Sequence, residues 1–267
     1  MFLRTLCSLL LVTTILAVSN VGADTLDNND VNYGAALDSY DPDFELTANI
    51  TISLKAAGVQ AVFLRGFKSN GKNGKVDKNS VASAKNAYNA GLGVEIFMEP
   101  QPFGKLDGGQ QLHEVYQELS DKGVVLRSIW LKVSRVASWS ADSASNVAYI
   151  NSTINGANQL GLIFGIYTNA NSWYRITNNS VVAPNVALWY YQQLPTSTYT
   201  GTDNFDDFVP FSGFQSPLVK QWSSNQTDSI YTGNADPFNR NIYKVGLTAK
   251  KSYVDSEGKI VVGGIGL

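Results

Sequence analysis

Carboxylates and aromatic rings are the side chains whose types and spacing could do chemistry in this sequence. There is a single histidine, His113, whereas a metal centre built on paired imidazoles needs two. His113-Glu114 begins like a zinc-protease helix, but the second histidine of that motif would stand where the chain has Gln117. His113 therefore reads as an exposed helix residue beside an apolar stripe. A Ser-His-Asp relay finds no support around it, and no Walker-type phosphate loop occurs. The acids are more informative. Asp38 directly follows an apolar run, Glu95 lies within another, and Glu99 follows that one. A carboxylate set against apolar strand residues is unfavourable unless it is paired or functional. Trp139, Trp173 and Trp189, near such acids, suit a sugar chain, whose apolar ring faces stack on aromatics while its hydroxyls take hydrogen bonds. Plain packing competes as the reading of Trp189 and of Trp130, because aromatics on buried strands usually fill space.

The elements that must position these groups alternate between strand and helix. Short β-rich runs occur at Ala35 to Asp38, Ala61 to Phe67, Gly93 to Met98, Ser128 to Val133, Leu162 to Thr168, Ala187 to Tyr191 and Pro217 to Trp222. Between them, Leu112, Val115, Tyr116 and Leu119 repeat at helical spacing, as do Val147, Ile150, Ile154 and Ala157. Ser140-Ala-Asp142 supplies a helix entry, and Asp121-Lys-Gly123 an exit. This order predicts a parallel sheet with crossover helices. The absence of a Gly-x-Gly-x-x-Gly turn after the first strand favours a barrel over a doubly wound sheet. The expected fold is α/β, a modified (β/α) TIM-like barrel forming one domain over residues 24–243. Lys251 to Val254, the Asp255 to Gly258 turn and Ile260 to Val262 read as a hairpin-like tail within residues 244–267. In a barrel the strand C-termini share one mouth. Those termini present Asp38, Arg65, Glu95, Glu99, Lys132, Ser134, Tyr167, Trp189, Tyr191 and Gln221.

Residues 1–23 read as a secretory signal: Arg4, then an apolar run from Leu9 to Val18 too short to span a bilayer, then Val21-Gly-Ala23 for cleavage. The one cysteine, Cys7, lies inside that signal, so the mature chain is expected to form no disulfide. Net charge is −2 and no basic run occurs, which argues against nucleic acid and against membrane attachment after cleavage. Neither a metal nor a cofactor is expected, and the protein reads as a monomer, secreted to the outside or to the lumen of a digestive or lysosomal compartment. Asn-x-Ser/Thr sequons at Asn49, Asn151, Asn178 and Asn225 mark candidate glycosylation sites.

Several stretches together resemble the nematode-type lysozymes of glycoside hydrolase family 25. They are Phe63-Leu-Arg-Gly-Phe67, Gly91 to Pro102 (containing Glu-Ile-Phe-Met-Glu-Pro), Ser128-Ile-Trp-Leu-Lys-Val-Ser134 with Trp139, Gly165-Ile-Tyr-Thr168 with Trp173, Leu188-Trp-Tyr190, Asn204 to Phe208 and Val219-Lys-Gln-Trp222. The resemblance implies a barrel that acts on or binds bacterial peptidoglycan, in innate defence or digestion. It also implies a departure. Competent members end the fourth strand in Asp-x-Glu, where this chain has Lys132-Val133-Ser134. Glycosidic hydrolysis normally uses a carboxylate pair, so activity is expected to be weak or absent. On the resemblance, Asp38 matches the first-strand aspartate and Asp236 the last-strand aspartate, leaving Glu95 or Glu99 as substitute acids. Alternatively, either glutamate pairs with Lys132 or Arg65 and is structural. Arg65, Trp139, Tyr167, Trp173, Trp189, Tyr191 and Gln221 are the expected substrate-binding set. The rival to an enzyme is a non-catalytic glycan-binding or immune-modulating protein, and a barrel glycosidase for another polysaccharide is a third reading. On the resemblance, Lys132→Asp with Ser134→Glu should restore hydrolysis.

Overall fold

The computed structural model describes residues 31–36, 45–192, 199–226, 238–244 and 252–264. Asp38, Asp236 and the proposed signal lie outside those residues. In chain order the elements are β1 (Val31–Ala36), α1 (Ala48–Ala56), β2 (Ala61–Lys68), β3 (Lys75–Val76), α2 (Ser80–Asn89), β4 (Gly93–Met98), α3 (Gly108–Asp121), β5 (Val124–Leu126), β6 (Ser128–Lys132), α4 (Ser143–Gln159), β7 (Ile163–Thr168), α5 (Ala170–Thr177) and β8 (Ala187–Tyr191). Then follow β9 (Tyr199–Thr200), β10 (Val219–Gln226), β11 (Phe238–Lys244), β12 (Tyr253–Val254) and β13 (Ile260–Val262).

The main sheet runs β1-β11-β10-β8-β7-β6-β4-β2-β3, with β9 beside β10 and a further pairing of β1 with β2. Eight of these strands form the curl, and β1 is bonded antiparallel to β11 on one side and parallel to β2 on the other. The regular strand-helix repeat is narrower than the sequence pattern implies. It holds through β8 and then stops, because β11 runs antiparallel to both β10 and β1 and no described helix follows α5.

Helix ends are set by local chemistry. Asp107 caps α3 in a reciprocal capping box with Gln110, and Asp142 caps α4 through the amides of Ala144 and Ser145. Leu112, Val115 and Leu119 turn the apolar face of α3 inward. Gly108 allows α4 to approach, since a Cβ there would stand 1.9 Å from Thr153 Oγ1.

The apolar interior has two parts. One lies between sheet and helices. The other fills the inside of the curl with Ala61, Phe63, Phe97, Trp130, Tyr167, Trp189, Val219 and Tyr243. Trp189 is fully buried there, 4.5 Å from the Phe63 ring and edge-on to Trp130 at 5.9 Å between centroids. The curl is thus a filled core at its centre, and any ligand must be met at its rim.

The C-terminal strands β12 and β13 pair antiparallel, and β13 adds parallel to β5. The Gly263 amide donates to Val94 O at 2.8 Å. This tail therefore packs beneath the N-terminal end of β4.

Candidate functional site

At the C-terminal ends of β4, β6, β7 and β8 lies a cavity of about 180 Å³. It is lined by Ser69, Glu99, Pro100, Lys132, Ser134, Arg135, Ser138, Trp139, Tyr167 and Tyr191. Strand geometry sets its wall. Alternation with period two points Lys132 and Ser134 to the cavity and Val133 into the sheet-helix core. The chain then turns sharply at Arg135, which takes a left-handed φ of 53°, a region unfavourable for residues other than glycine. The Trp139 indole closes the turn by donating to Ser134 O at 3.0 Å, and Trp139 edge-packs on Tyr149.

Lys132 is 6% exposed and sits in an aromatic box. Its Nζ lies 4.2 Å from the centroid of Phe97, 4.9 Å from Tyr167 and 5.7 Å from Trp189. Ring faces attract a cation and repel an anion, so this position is built for an ammonium. Tyr167 stacks on Tyr191 at 4.5 Å with 9° between planes, and its hydroxyl donates to Gln221 Oε1 at 3.2 Å. The Tyr191 hydroxyl meets Ser172 Oγ at 2.7 Å. Burial pushes the Tyr191 phenol above its ordinary value, although the Ser172 contact pulls the other way, so it serves as a neutral hydroxyl.

Behind Lys132 runs an ion-pair chain. Arg65 Nε meets Asp77 at 2.9 Å and Arg65 Nη1 meets Glu99 at 3.5 Å. Lys68 lies 3.7 Å from Asp77, and Arg135 lies 4.0 Å from Glu99. Glu99 is the one carboxylate among the described residues that line the cavity, and both its oxygens face guanidinium groups. It is positioned as an ion-pair partner, the structural alternative that the sequence left open.

Glu95 does not join this site. It is 2% exposed and accepts from Ser128 Oγ at 2.7 Å, Trp130 Nε1 at 2.8 Å and the Gly264 amide at 2.7 Å. Those donors place it at the floor of the curl, beside the tail. Trp173 is also elsewhere. It is buried between α5 and the loop after it, donates to Ser180 O at 2.8 Å and edge-packs on Phe214. Trp189 lies below the cavity as core, with its indole donating to Asn241 Oδ1 at 2.9 Å. The structure thus gathers Glu99, Lys132, Ser134, Trp139, Tyr167 and Tyr191 at the cavity, with Arg65 and Gln221 directly behind. It leaves Glu95, Trp173 and Trp189 out of the lining.

Arg135, Asp77, Ser69 and Ser138 were not anticipated. Asn49, Asn151 and Asn178 are exposed, on α1, on α4 and at the C-cap of α5, while Asn225 lies on β10. His113 is exposed on α3. Among the described residues no group of His, Cys, Asp and Glu could hold a metal ion, and no described helix is long and apolar enough to cross a membrane.

The family described as lysozyme-like protein 1 matches residues 29–222. Lysozyme-like protein 2 of Caenorhabditis elegans is 40% identical over 260 residues, which cover 93% of this chain and 89% of that protein. A probable GH family 25 lysozyme of Dictyostelium discoideum is 31% identical over 170 residues, covering 63% of this chain and 75% of that protein. Among solved structures, a muramidase from Trichobolus zukalii aligns with a TM-score of 0.57 at 17% identity over 81% of this chain and 95% of its own. A family 25 glycosyl hydrolase from Bacillus anthracis aligns with a TM-score of 0.57 at 12% identity over 83% of this chain and 92% of its own. At such identities the structural likeness concerns the mixed α/β fold and its curled sheet.

Proposed function

The chain belongs to the lysozyme-like protein 1 family, and from that membership we propose that it is a secreted protein which engages bacterial peptidoglycan at the cavity of the curl, with feeble hydrolysis or none. The observation that carries the second half is the aromatic box around Lys132. Hydrolysis of a glycosidic bond protonates a poor leaving group and stabilises an oxocarbenium-like centre, the work of two carboxyl groups. A lysine places positive charge where positive charge would develop, and a serine hydroxyl is too weak an acid to protonate the leaving oxygen. Glu99, the carboxylate among the described residues of the wall, is engaged with Arg65 and Arg135.

Binding has what it needs. Tyr191 and Trp139 offer apolar edges for a ring, and Ser134 and Ser138 offer hydroxyls. The membership and the apolar leader of residues 1–23 support a role in defence or digestion outside the cytoplasm. The test uses the secreted protein with purified peptidoglycan, measuring both co-sedimentation and new reducing ends. The expected result is retention on the sacculi with a cleavage rate at or near the blank. Vigorous release of reducing ends, abolished by Glu99→Gln, would overturn the non-catalytic part and make Glu99 the proton donor.

A further inference from the structure

We infer that Asn178 carries an N-linked glycan whose first sugar ring lies in a groove between α4 and the end of α5, so that the protein's own glycan covers that flank. This goes beyond the peptidoglycan reading and rests only on its secretory part. The groove measures about 370 Å³ and shares no lining residue with the cavity at the mouth of the curl. Ala144, Val147, Ala148 and Asn151 of α4 form one side of it, and Asn178 and Ser180 the other.

The first ground is the chemistry of the groove. The four residues of α4 recur three and four apart, so they share one face of the helix. Ala144, Ala148 and Asn151 are exposed there and Val147 is half-buried. None of the described residues lining the groove is ionisable. Methyl groups thus make an apolar floor, and the Asn151 amide stands at its edge. A pyranose, with an apolar face and a rim of polar groups, fits such a surface.

The second ground is the tether. Asn178-Asn179-Ser180 is an Asn-x-Ser sequon, and Asn178 is exposed on the wall of the groove. It ends α5 in the left-handed region, at φ 53° and ψ 43°, and Asn179 follows at φ 62°, a conformation that asparagine tolerates better than most residues. The turn leaves the acceptor outside the helix, where a sugar linked to its amide nitrogen reaches the floor without a further spacer. Asn151 is the rival acceptor on the facing wall, but the hydroxyl residue of its sequon is fully buried. Thr153 Oγ1 donates to Tyr149 O at 3.0 Å within α4, whereas Ser180 is half-buried and lies past the end of α5. Acceptor sequons belong to surface loops, which favours Asn178.

The experiment takes the full chain secreted from a eukaryotic host, maps its glycans by mass spectrometry, and follows amide hydrogen exchange over residues 143–151 together with the thermal midpoint. Three forms are compared: the intact glycoprotein, the protein trimmed by an endoglycosidase to a single N-acetylglucosamine, and Ser180→Ala, which removes the sequon but keeps Asn178 in its turn. The intact and trimmed forms should protect the α4 amides equally, because the first ring is the one that is seated. Ser180→Ala should lose that protection and melt about 2–4 °C lower. Ala148→Arg, a substitution well tolerated on an exposed helix face, lays a long side chain across the floor. It should keep the glycan mass and lose the protection. Asn49→Gln, which removes a sequon elsewhere, should change neither readout at α4. Secreted protein without a glycan on Asn178 overturns the inference, and so does a glycan there whose loss leaves exchange and midpoint unchanged. Protection that follows a glycan on Asn151, or self-association of the unaltered protein through this groove, assigns the groove to another occupant and also overturns it. A chain that the host does not secrete overturns this inference together with the secretory reading, whereas failure to bind sacculi touches the peptidoglycan reading alone.

Discussion

Reinstating the acids, Lys132→Asp with Ser134→Glu, is the change that the family resemblance marks as restorative, and the structure predicts that it fails. Lys132 Nζ faces three rings at 4.2, 4.9 and 5.7 Å. A desolvated cation-ring contact contributes roughly 2 kcal/mol, and that is forfeited. A new carboxylate in the same box meets the negative faces of Phe97, Tyr167 and Trp189, while Arg65 and Arg135 are drawn to Glu99. A buried charge left without its partner costs roughly 3–5 kcal/mol. The double variant should therefore lose about 5–7 kcal/mol, a large share of the ~5–15 kcal/mol typical of a domain. Urea unfolding of parent, Ser134→Glu and double variant would measure this, alongside reducing-end release from peptidoglycan. Ser134→Glu alone, at the half-buried rim, should unfold near the parent midpoint. The reasoning is refuted if the double variant keeps the parent midpoint and gains ~10²-fold or more in cleavage, the scale of a positioned general acid.

Three further outcomes follow from other parts of the fold. Gly165→Ala places a Cβ 2.2 Å from the Trp130 ring at the packed centre of the curl, and should destabilise by ~1–3 kcal/mol in urea. Asp107 is held below the ordinary carboxylate value, chiefly by the Gln110 amide; its stabilising effect is present above the unfolded-state value and is lost as pH falls through the folded one. Asp107→Ala should therefore cost about 1 kcal/mol at neutral pH, with the gap to the parent closing in acid. Protein secreted from a eukaryotic host should begin at or within a few residues of Asp24 and lose mass on enzymatic deglycosylation, with Asn49 and Asn178 carrying the glycans; terminal sequencing and mass spectrometry check both.

Strands β2, β4, β6, β7 and β8 could be read from the sequence because each is an apolar run buried on both faces, bounded by polar or glycine residues. β11 could not. Its inward residues include Asn239 and Asn241, at 7% and 0% exposure, and a strand that buries amides lacks the apolar signature. Asn241 is there to satisfy the Trp189 indole, a long-range need with no local trace. The same holds for the site. Strand alternation was enough to put Lys132 and Ser134 together, but the box around Lys132 draws Phe97, Tyr167 and Trp189 from β4, β7 and β8. Trp173 looked like a mouth residue because it follows β7, yet one turn into α5 its side chain points to the core.

Glu95 and Glu99 stand four residues apart on one strand and its exit, and that spacing decides what each can do. At ~3.3 Å per residue the two lie roughly 13 Å apart along the strand, with the Phe97 ring between them inside the curl. Glu95 is bound at one end by a serine hydroxyl, an indole and the Gly264 amide of the tail. Glu99 is bound at the other by arginines. No rotamer of Glu95 spans that distance, so it cannot donate a proton to a sugar at the mouth. Its role is to tie the C-terminal segment to the floor: removing the carboxylate leaves the Trp130 indole and the Gly264 amide without their acceptor in a dry interior, where each orphaned donor costs roughly 1–3 kcal/mol. The floor carboxylate therefore acts on stability, and the mouth carboxylate on the electrostatics of the cavity.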